Sequence, residues 1–491
     1  MEAESLKKSG ILQAVHRVSQ KRKEEVYLVG GAIRDLLLGN SWGKDFDFMT
    51  KGEVSGLARD AARETGGHAF PLDETFGTWR VILKKRKSRT ELDFSLLQGK
   101  DIFEDLRQRD FTINSIALRI EGILHGETPE FIDPLGGVSD LRRRILRANS
   151  EESLRQDPLR MLRAFRFAST LGFSVEDETL RMIERNKDQI LRSAGERIRR
   201  EFFTALDGNQ AGRFLRQLNE VGLLAKIFPE IQGWNDLNIG IPDTSSLLEH
   251  AFRTVDAAEF ILDHLDDLYP PFARSLDQHF SQEVEEGISR KALFKFLAFF
   301  HDSGKPDTMT WKEGESYPRF MDHDQAGQKI NTAIASRMKL SRRSIKTVSN
   351  LTRHHMRIQS LFKVKEVTPR AKYRLFHDLG KEGIDLVFLA LSSLLGSEKP
   401  EYSWPLSASQ PGDRLRVEEI GGGVLEYYFQ EFTQRVQKPL LDGKEIMEAL
   451  GIPQGKGVGA LLERLREAEF AGKVQTREEA LKYLKTIDRF A

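Results

Sequence analysis

Apolar residues recur with helical spacing over residues 4–20, where Leu6, Ile11, Leu12, Val15 and Val18 gather near one face. The period then shortens. Val26-Tyr27-Leu28-Val29-Gly30-Gly31 reads as a buried strand closed by two glycines, and 32–39 as a short helix stopped by Gly39. Residues 45–50 alternate with period two, which predicts a strand with one polar and one apolar face. A helix is predicted over 53–65, and short strands near 67–71, 78–83 and 91–96. Residues 110–133 read as helix and strand, ending in a turn at Asp133-Pro134-Leu135-Gly136-Gly137. From Ser139 onward the periods are mostly helical. The fold class is therefore an α+β head, a small mixed sheet with helices, on a long all-α neck, body and tail. The boundaries are 1–140 for the head, 141–236 for the neck, 245–360 for a His-rich helical domain and 361–491 for the body and tail. Joints fall near 235–244 and, with Gly and Pro, at 397–424.

The 491 residues are 39% hydrophobic and 30% charged, with mean hydropathy −0.44, as expected of a soluble chain with several cores. Lys and Arg number 75 against 74 Asp and Glu, for a net charge of +1, which excludes a uniformly basic coat. A nucleic-acid surface must then be local. Residues 142–166 offer one, with eight arginines against Glu151, Glu152 and Asp157. The absence of Cys excludes disulfides, thiolate metal sites and a thiol nucleophile. The N-terminal residues lack the apolar run of a signal peptide, and no stretch has the length and apolarity of a membrane span. A cytoplasmic protein without a membrane partner is expected.

The polar face of the 45–50 strand carries chemistry. Asp45 and Asp47 share that face while Phe46 and Phe48 point to a core. Alone, an Asp-x-Asp is usually a solvated strand face. Here it follows Gly30-Gly31-Ala32-Ile33-Arg34-Asp35 in strand–glycine–helix–strand order. Two neighbouring carboxylates repel and suit a hard cation such as Mg²⁺, which commonly keeps substrate phosphates in its shell. Gly30 and Gly31 let backbone N–H groups approach phosphate, and Arg34 can reach the same group. Asp93, on another predicted strand, is the candidate third carboxylate.

Three further strings follow: 105–114 (DLRQRDFTIN), 133–141 (DPLGGVSDL) and 156–167 (QDPLRMLRAFRF). In this order they closely resemble the class II tRNA nucleotidyltransferase and bacterial poly(A) polymerase family. A fainter resemblance runs through 439–446 and 451–455 to the family's helical tail, which binds tRNA. The resemblance implies template-independent addition of C, A or both, from CTP and ATP, to a tRNA 3′ end. It implies that Asp45 and Asp47 are catalytic and hold Mg²⁺, and that Gly31 and Arg34 hold the triphosphate. Arg109 and Asp110, with Asn114 in the same string, contact the nucleotide. Asp157 and Arg160 present edges to the incoming base, with Arg163 and Arg166 nearby. The helical period agrees: Met161, Leu162 and Phe165 fall on one side, the arginines on the other. One position departs from the family, Gln156 standing where Glu is usual.

Seven of the 11 histidines lie within 245–360. Phe299-Phe300-His301-Asp302-Ser303-Gly304-Lys305 resembles the HD phosphohydrolase motif, which implies a second divalent metal on His250, His301, Asp302 and His323. His354-His355 lies further on. Ser393 stands where that family places a final Asp, which argues against efficient hydrolysis. Three rivals follow: a poly(A) polymerase, an HD phosphohydrolase with a vestigial head, and a non-catalytic RNA-binding protein.

Overall fold

The computed structural model describes residues 9–40, 45–73, 77–85, 88–121, 131–240, 245–362, 367–397, 411–434, 440–470 and 472–487. Lys44, the centre of the 72–80 loop, Arg86-Lys87, the end of the 235–244 joint and Pro439 lie outside the described residues. The chain forms two compact units, one of residues 1–201 with 217–227 and one of 202–216 with 228–491.

In the first unit, helix α1 (Gly10–Arg22) leads to strand β1 (Val26–Val29), α2 (Gly31–Leu37), β2 (Asp45–Thr50) and α3 (Val54–Thr65). Strands β3 (His68–Asp73), β4 (Thr78–Lys85) and β5 (Ser88–Leu96) follow, then α4 (Ile102–Gln108), β6 (Ala117–Arg119) and β7 (Phe131–Ile132). They make one seven-stranded sheet in the order β3-β4-β5-β2-β1-β6-β7. Only the central β2–β5 pair is parallel. The alternation in β2 is realised: Phe46 and Phe48 are buried, Phe48 stacking on Phe94 at 5.0 Å, while Asp45 and Asp47 are exposed on the opposite face. Farther along that face Met49 joins Ile102 and Leu106 in a small core, so apolar packing fixes the strand that carries the acids.

The Asp133 turn is built for closeness. Asp133 accepts from the backbone N–H of Gly137 at 2.6 Å and of Val138 at 2.9 Å, capping α5 (Gly137–Arg143). A Cβ on Gly137 would stand 2.1 Å from the Thr112 carbonyl oxygen, so only glycine fits. Helices α6 (Glu151–Gln156), α7 (Leu159–Leu171) and α8 (Asp177–Asn186) follow, then α9 (Gly195–Asp207), whose residues to Glu201 belong to this unit.

The second unit is helical. Helix α10 (Leu247–Asp263) packs on α14 (Glu382–Ser397), and α12 (His323–Arg337) on α13 (Arg342–Phe362), with α11 (Arg290–Phe300) between them in sequence. A tail of α15 (Gly443–Leu450), α16 (Lys456–Phe470) and α17 (Arg477–Ile487) has its own core around Ile446, Leu465 and Leu484. Two differences from the sequence reading stand out. Two small antiparallel hairpins interrupt the helices, at 283–289 and 309–320. A helix, Pro411–Glu426, occupies the second half of what reads as a Gly/Pro joint, of which 398–410 lie outside the described residues. Its Gly421 is not a breaker: a Cβ there would meet the Tyr269 hydroxyl at 2.9 Å, so the glycine admits close packing.

Candidate active site

Parallel pairing sets Asp45 beside Glu91 and Asp47 beside Asp93, so four carboxylates share one face. Arg80 answers two of them. Its Nε and Nη2 donate to Asp93, each at 2.7 Å, and Nη1 pairs with Glu91 at 2.6 Å. Asp45 and Asp47 form no hydrogen bond or ion pair among the described residues. Asp47 is open to solvent at its tip yet surrounded by protein. Loss of water pushes both carboxyls up from their ordinary value, reinforced by Glu91 at Asp45 and by Asp93 and Asp45 at Asp47, against the pull of Arg80 and Arg109. Gly30, at φ 74°, keeps the space beside them clear: a Cβ there would lie 3.3 Å from Asp47 Oδ2 and 3.4 Å from Arg109 Nη1. Hard oxygen donors with uncompensated charge and room at their tips fit Mg²⁺.

A cavity of about 610 Å³ opens over this face, lined by Asp47, Asp93, Arg109, Gln156, Asp157 and Arg160 among others. Asp47 and Asp93 thus share one cleft with Asp157 and Arg160, the pair expected to face the base. Arg109 is held by the buried Asp105 at 3.0 Å. Arg160 donates through Nη1 to the carbonyls of Gln108 at 2.9 Å and Ser153 at 3.2 Å. The neutral Gln156 is exposed in the same cleft.

The remaining expected residues form the wall behind it. Arg34 donates to Asp35 at 2.8 Å and to Asn114 Oδ1 at 2.9 Å. Asn114 in turn donates to Asp110 at 3.1 Å. Asp110, expected to touch the nucleotide, is buried and instead braces Arg163, accepting from Nε at 3.1 Å and Nη2 at 2.7 Å. Burial alone would raise its carboxyl, but Arg163 and Asn114 outweigh that and hold it below the ordinary value. Arg163 and Arg166 both pair with Glu201 of α9. Arg34, Arg163 and Arg166 surround the buried Phe167 ring at 5.1, 5.3 and 3.9 Å. The arginines of α7 are therefore a braced stripe, not a solvated face.

In the second unit, Asp302 sits among His250, His301, His323 and His355, all buried. Oδ2 lies 3.2 Å from His301 Nε2 and 3.6 Å from His250 Nε2, and Oδ1 lies 3.3 Å from His323 Nε2 and 3.5 Å from His355 Nε2. The Nδ1 atoms of His301, His323 and His355 face the carbonyls of Ala298, Phe320 and Thr352 at 2.9, 2.7 and 2.7 Å. Such contacts set the tautomer, protonating Nδ1 and turning the Nε2 lone pairs inward. Two of them, on His323 and His355, then face each other at 3.1 Å, and His301 Nε2 is buried with no hydrogen-bond partner. Facing lone pairs take a proton or a cation between them, and the donor set fits a divalent ion. Lys305 also reaches Asp302 at 2.6 Å, and Ser393 Oγ stands 3.5 Å from His250 Nε2.

Sequence reasoning left His355 out of this set. The signal was present: Val348, Leu351, Thr352, His355 and Ile358 are the buried stripe of α13, and His354 falls off it. Arg197 and Glu201 had no such signal, because their partners lie 35 to 40 residues away, and Arg80 meets its acids only through the pairing of β4 with β5.

The Poly A polymerase head domain matches residues 26–147, the probable RNA and SrmB-binding site of polymerase A matches 172–234, and the HD domain matches 247–374. The chain is 32% identical to an A-adding tRNA nucleotidyltransferase of Deinococcus radiodurans, over 92% of this chain and 93% of that one. It is 30% identical to a CC-adding tRNA nucleotidyltransferase of Geobacter sulfurreducens, over 93% and 91%. A solved CCA-adding enzyme in its apo form superposes with TM-score 0.66 at 19% identity, covering 97% of this chain and 93% of that one.

Proposed function

The chain belongs to the tRNA nucleotidyltransferase family, and from that premise we propose that it adds C, A or both to tRNA 3′ ends from CTP and ATP, without a nucleic-acid template, releasing pyrophosphate. The observation that carries this reading is the cleft that Asp47 and Asp93 line together with Asp157 and Arg160. Asp45 and Asp47 would hold Mg²⁺, whose charge would favour in-line attack of the terminal 3′-hydroxyl on the α-phosphate, while Asp93, the candidate third carboxylate, has both oxygens taken by Arg80. Gly30 and Gly31 leave the backbone open to the triphosphate, and Arg34 and Arg109 neutralise it. Asp157 accepts from the base's amino group while Arg160 donates to its ring nitrogen. Asp110, Asn114 and Glu201 hold the arginines in place, so that catalysis rests on positioning and charge. The reaction belongs in the cytoplasm, where its tRNA substrate is matured.

The test is direct. Labelled CTP or ATP is offered with tRNAs ending in the discriminator base, in C and in CC, and the products are sized. Growth that stops at or before CCA is expected. A long adenylate tail would identify a poly(A) polymerase instead, and no incorporation with any acceptor would refute the reading.

The inward-facing imidazoles around Asp302 favour a second divalent site, Asp302 joining His250 and His301 on one side and His323 and His355 on the other. An ion there would polarise a phosphoester, and Ser393 removes the acidic ligand that the HD family adds. Metal analysis of the purified chain against His301→Ala checks it: equal metal content would exclude the site.

A further inference from the structure

We propose that Arg197 is a positioning residue for base selection, holding the Asp157 carboxylate in the one orientation that reads an amino group. The proposal rests on Asp157 and Arg160 being the base-reading pair. Asp157 lies between α6 and α7 with extended backbone, φ −131° and ψ 92°, so helix geometry does not fix its side chain. Arg197 does. Its Nη1 donates to Oδ1 at 3.1 Å and its Nη2 to Oδ2 at 2.8 Å, the parallel two-bond geometry of a guanidinium on a carboxylate. Oδ1 also accepts from the Leu159 N–H at 3.3 Å. Each carboxylate oxygen accepts about two bonds, so Oδ2 retains the free acceptor. Arg160 has spent Nη1 on the carbonyls of Gln108 and Ser153, leaving Nε and Nη2 as donors.

An acceptor beside a donor matches the amino group and ring nitrogen of cytosine and adenine. It opposes uracil and guanine, which present a carbonyl and a ring N–H at the corresponding atoms. The discrimination holds only while Asp157 keeps its acceptor turned to the base. Arg197 is 54% exposed and Asp157 27%, so their ion pair adds little to folding and its effect is on orientation. The same helix, four residues on, carries Glu201, which holds Arg163 and Arg166. Helix α9 thereby braces both the base-reading residue and the arginine stripe.

The test uses the full chain and single-nucleotide incorporation with CTP, ATP, UTP and GTP, comparing wild type, Arg197→Ala, Arg197→Lys and Asp157→Ala. In Arg197→Ala, preference for the cognate nucleotide over UTP and GTP should fall on the order of tenfold, with melting temperature and tRNA affinity unchanged. Arg197→Lys, which keeps the charge but not the two-bond geometry, should fall between. Unchanged discrimination in Arg197→Ala while Asp157→Ala loses it would overturn the clamp and leave the base-reading pair standing. An equal loss for all four nucleotides would also overturn it, as a merely structural effect. Unchanged discrimination in Asp157→Ala would overturn the base-reading role and the proposal together.

Discussion

Arg163→Ala tests whether the wall behind the cleft is held by charge. Asp110 is 8% exposed, and Arg163 supplies both bonds to its Oδ2. Without Arg163, Oδ1 keeps the Phe111 N–H at 2.8 Å and Asn114 at 3.1 Å, but the charge loses its counterion. Breaking one side of a buried pair costs about 3–5 kcal/mol. The lower figure applies, because the Arg163 side chain is 31% exposed and water can partly replace it. A loss of about 3 kcal/mol raises local opening roughly a hundredfold, which hydrogen exchange reads in peptides covering 110–115 and α7. The pH dependence gives the sign. In the wild type the Asp110 carboxyl is held below its ordinary value, so its contribution is present above the unfolded pKa and is lost as pH falls through the folded one. In the variant the pull of Arg163 is gone while Asn114 and Arg160 still oppose burial, so the folded pKa rises from its wild-type position. Ionisation then favours folding less than in the wild type, so the penalty is largest near neutrality and shrinks in acid. Asp110→Asn combined with Arg163→Ala removes the orphaned charge and should recover part of the loss. A single-variant effect within about 0.5 kcal/mol, or strict additivity in the double, would refute the reasoning.

Four shorter predictions follow. Asp47→Asn should abolish incorporation while filter-binding affinity for tRNA stays within about twofold, since phosphate contacts elsewhere carry that affinity. The raised carboxyls of Asp45 and Asp47 mean that protons compete with the cation above the ordinary carboxylate range, so thermal stabilisation by Mg²⁺ should still be growing as pH rises past that range. A flat response would contradict it. His355→Ala should lower Mn²⁺ binding measured by calorimetry, whereas His354→Ala should not; equal effects would remove His355 from the donor set. Replacing Arg142, Arg143 and Arg144 with Ala should weaken tRNA binding and reduce the slope of log affinity against log salt by about 2.

That last prediction shows what a run of charge does and does not disclose. The β2 acids and the strand–glycine–helix order were legible because they are local: period two puts Asp45 and Asp47 on one face whatever lies around them. The stripe of α7 was legible for the same reason. The arginine-rich stretch from 142 to 166 was legible only as charge. In the fold, Arg147 pairs with Asp140 and Glu176, Arg155 with Glu151, and Arg163 and Arg166 with Glu201, while Arg160 is spent on carbonyls. Several of these partners lie far along the chain, Glu201 being 38 and 35 residues from its two arginines. Pairing at that separation is set by how α7 and α9 pack, which no local period encodes. What remains is Arg142, Arg143 and Arg144 at the end of α5, exposed and with no ion-pair partner among the described residues. An arginine already neutralised by a carboxylate releases no counterion when RNA arrives, so the salt dependence of binding should report these three and not Arg147, Arg155, Arg163 and Arg166.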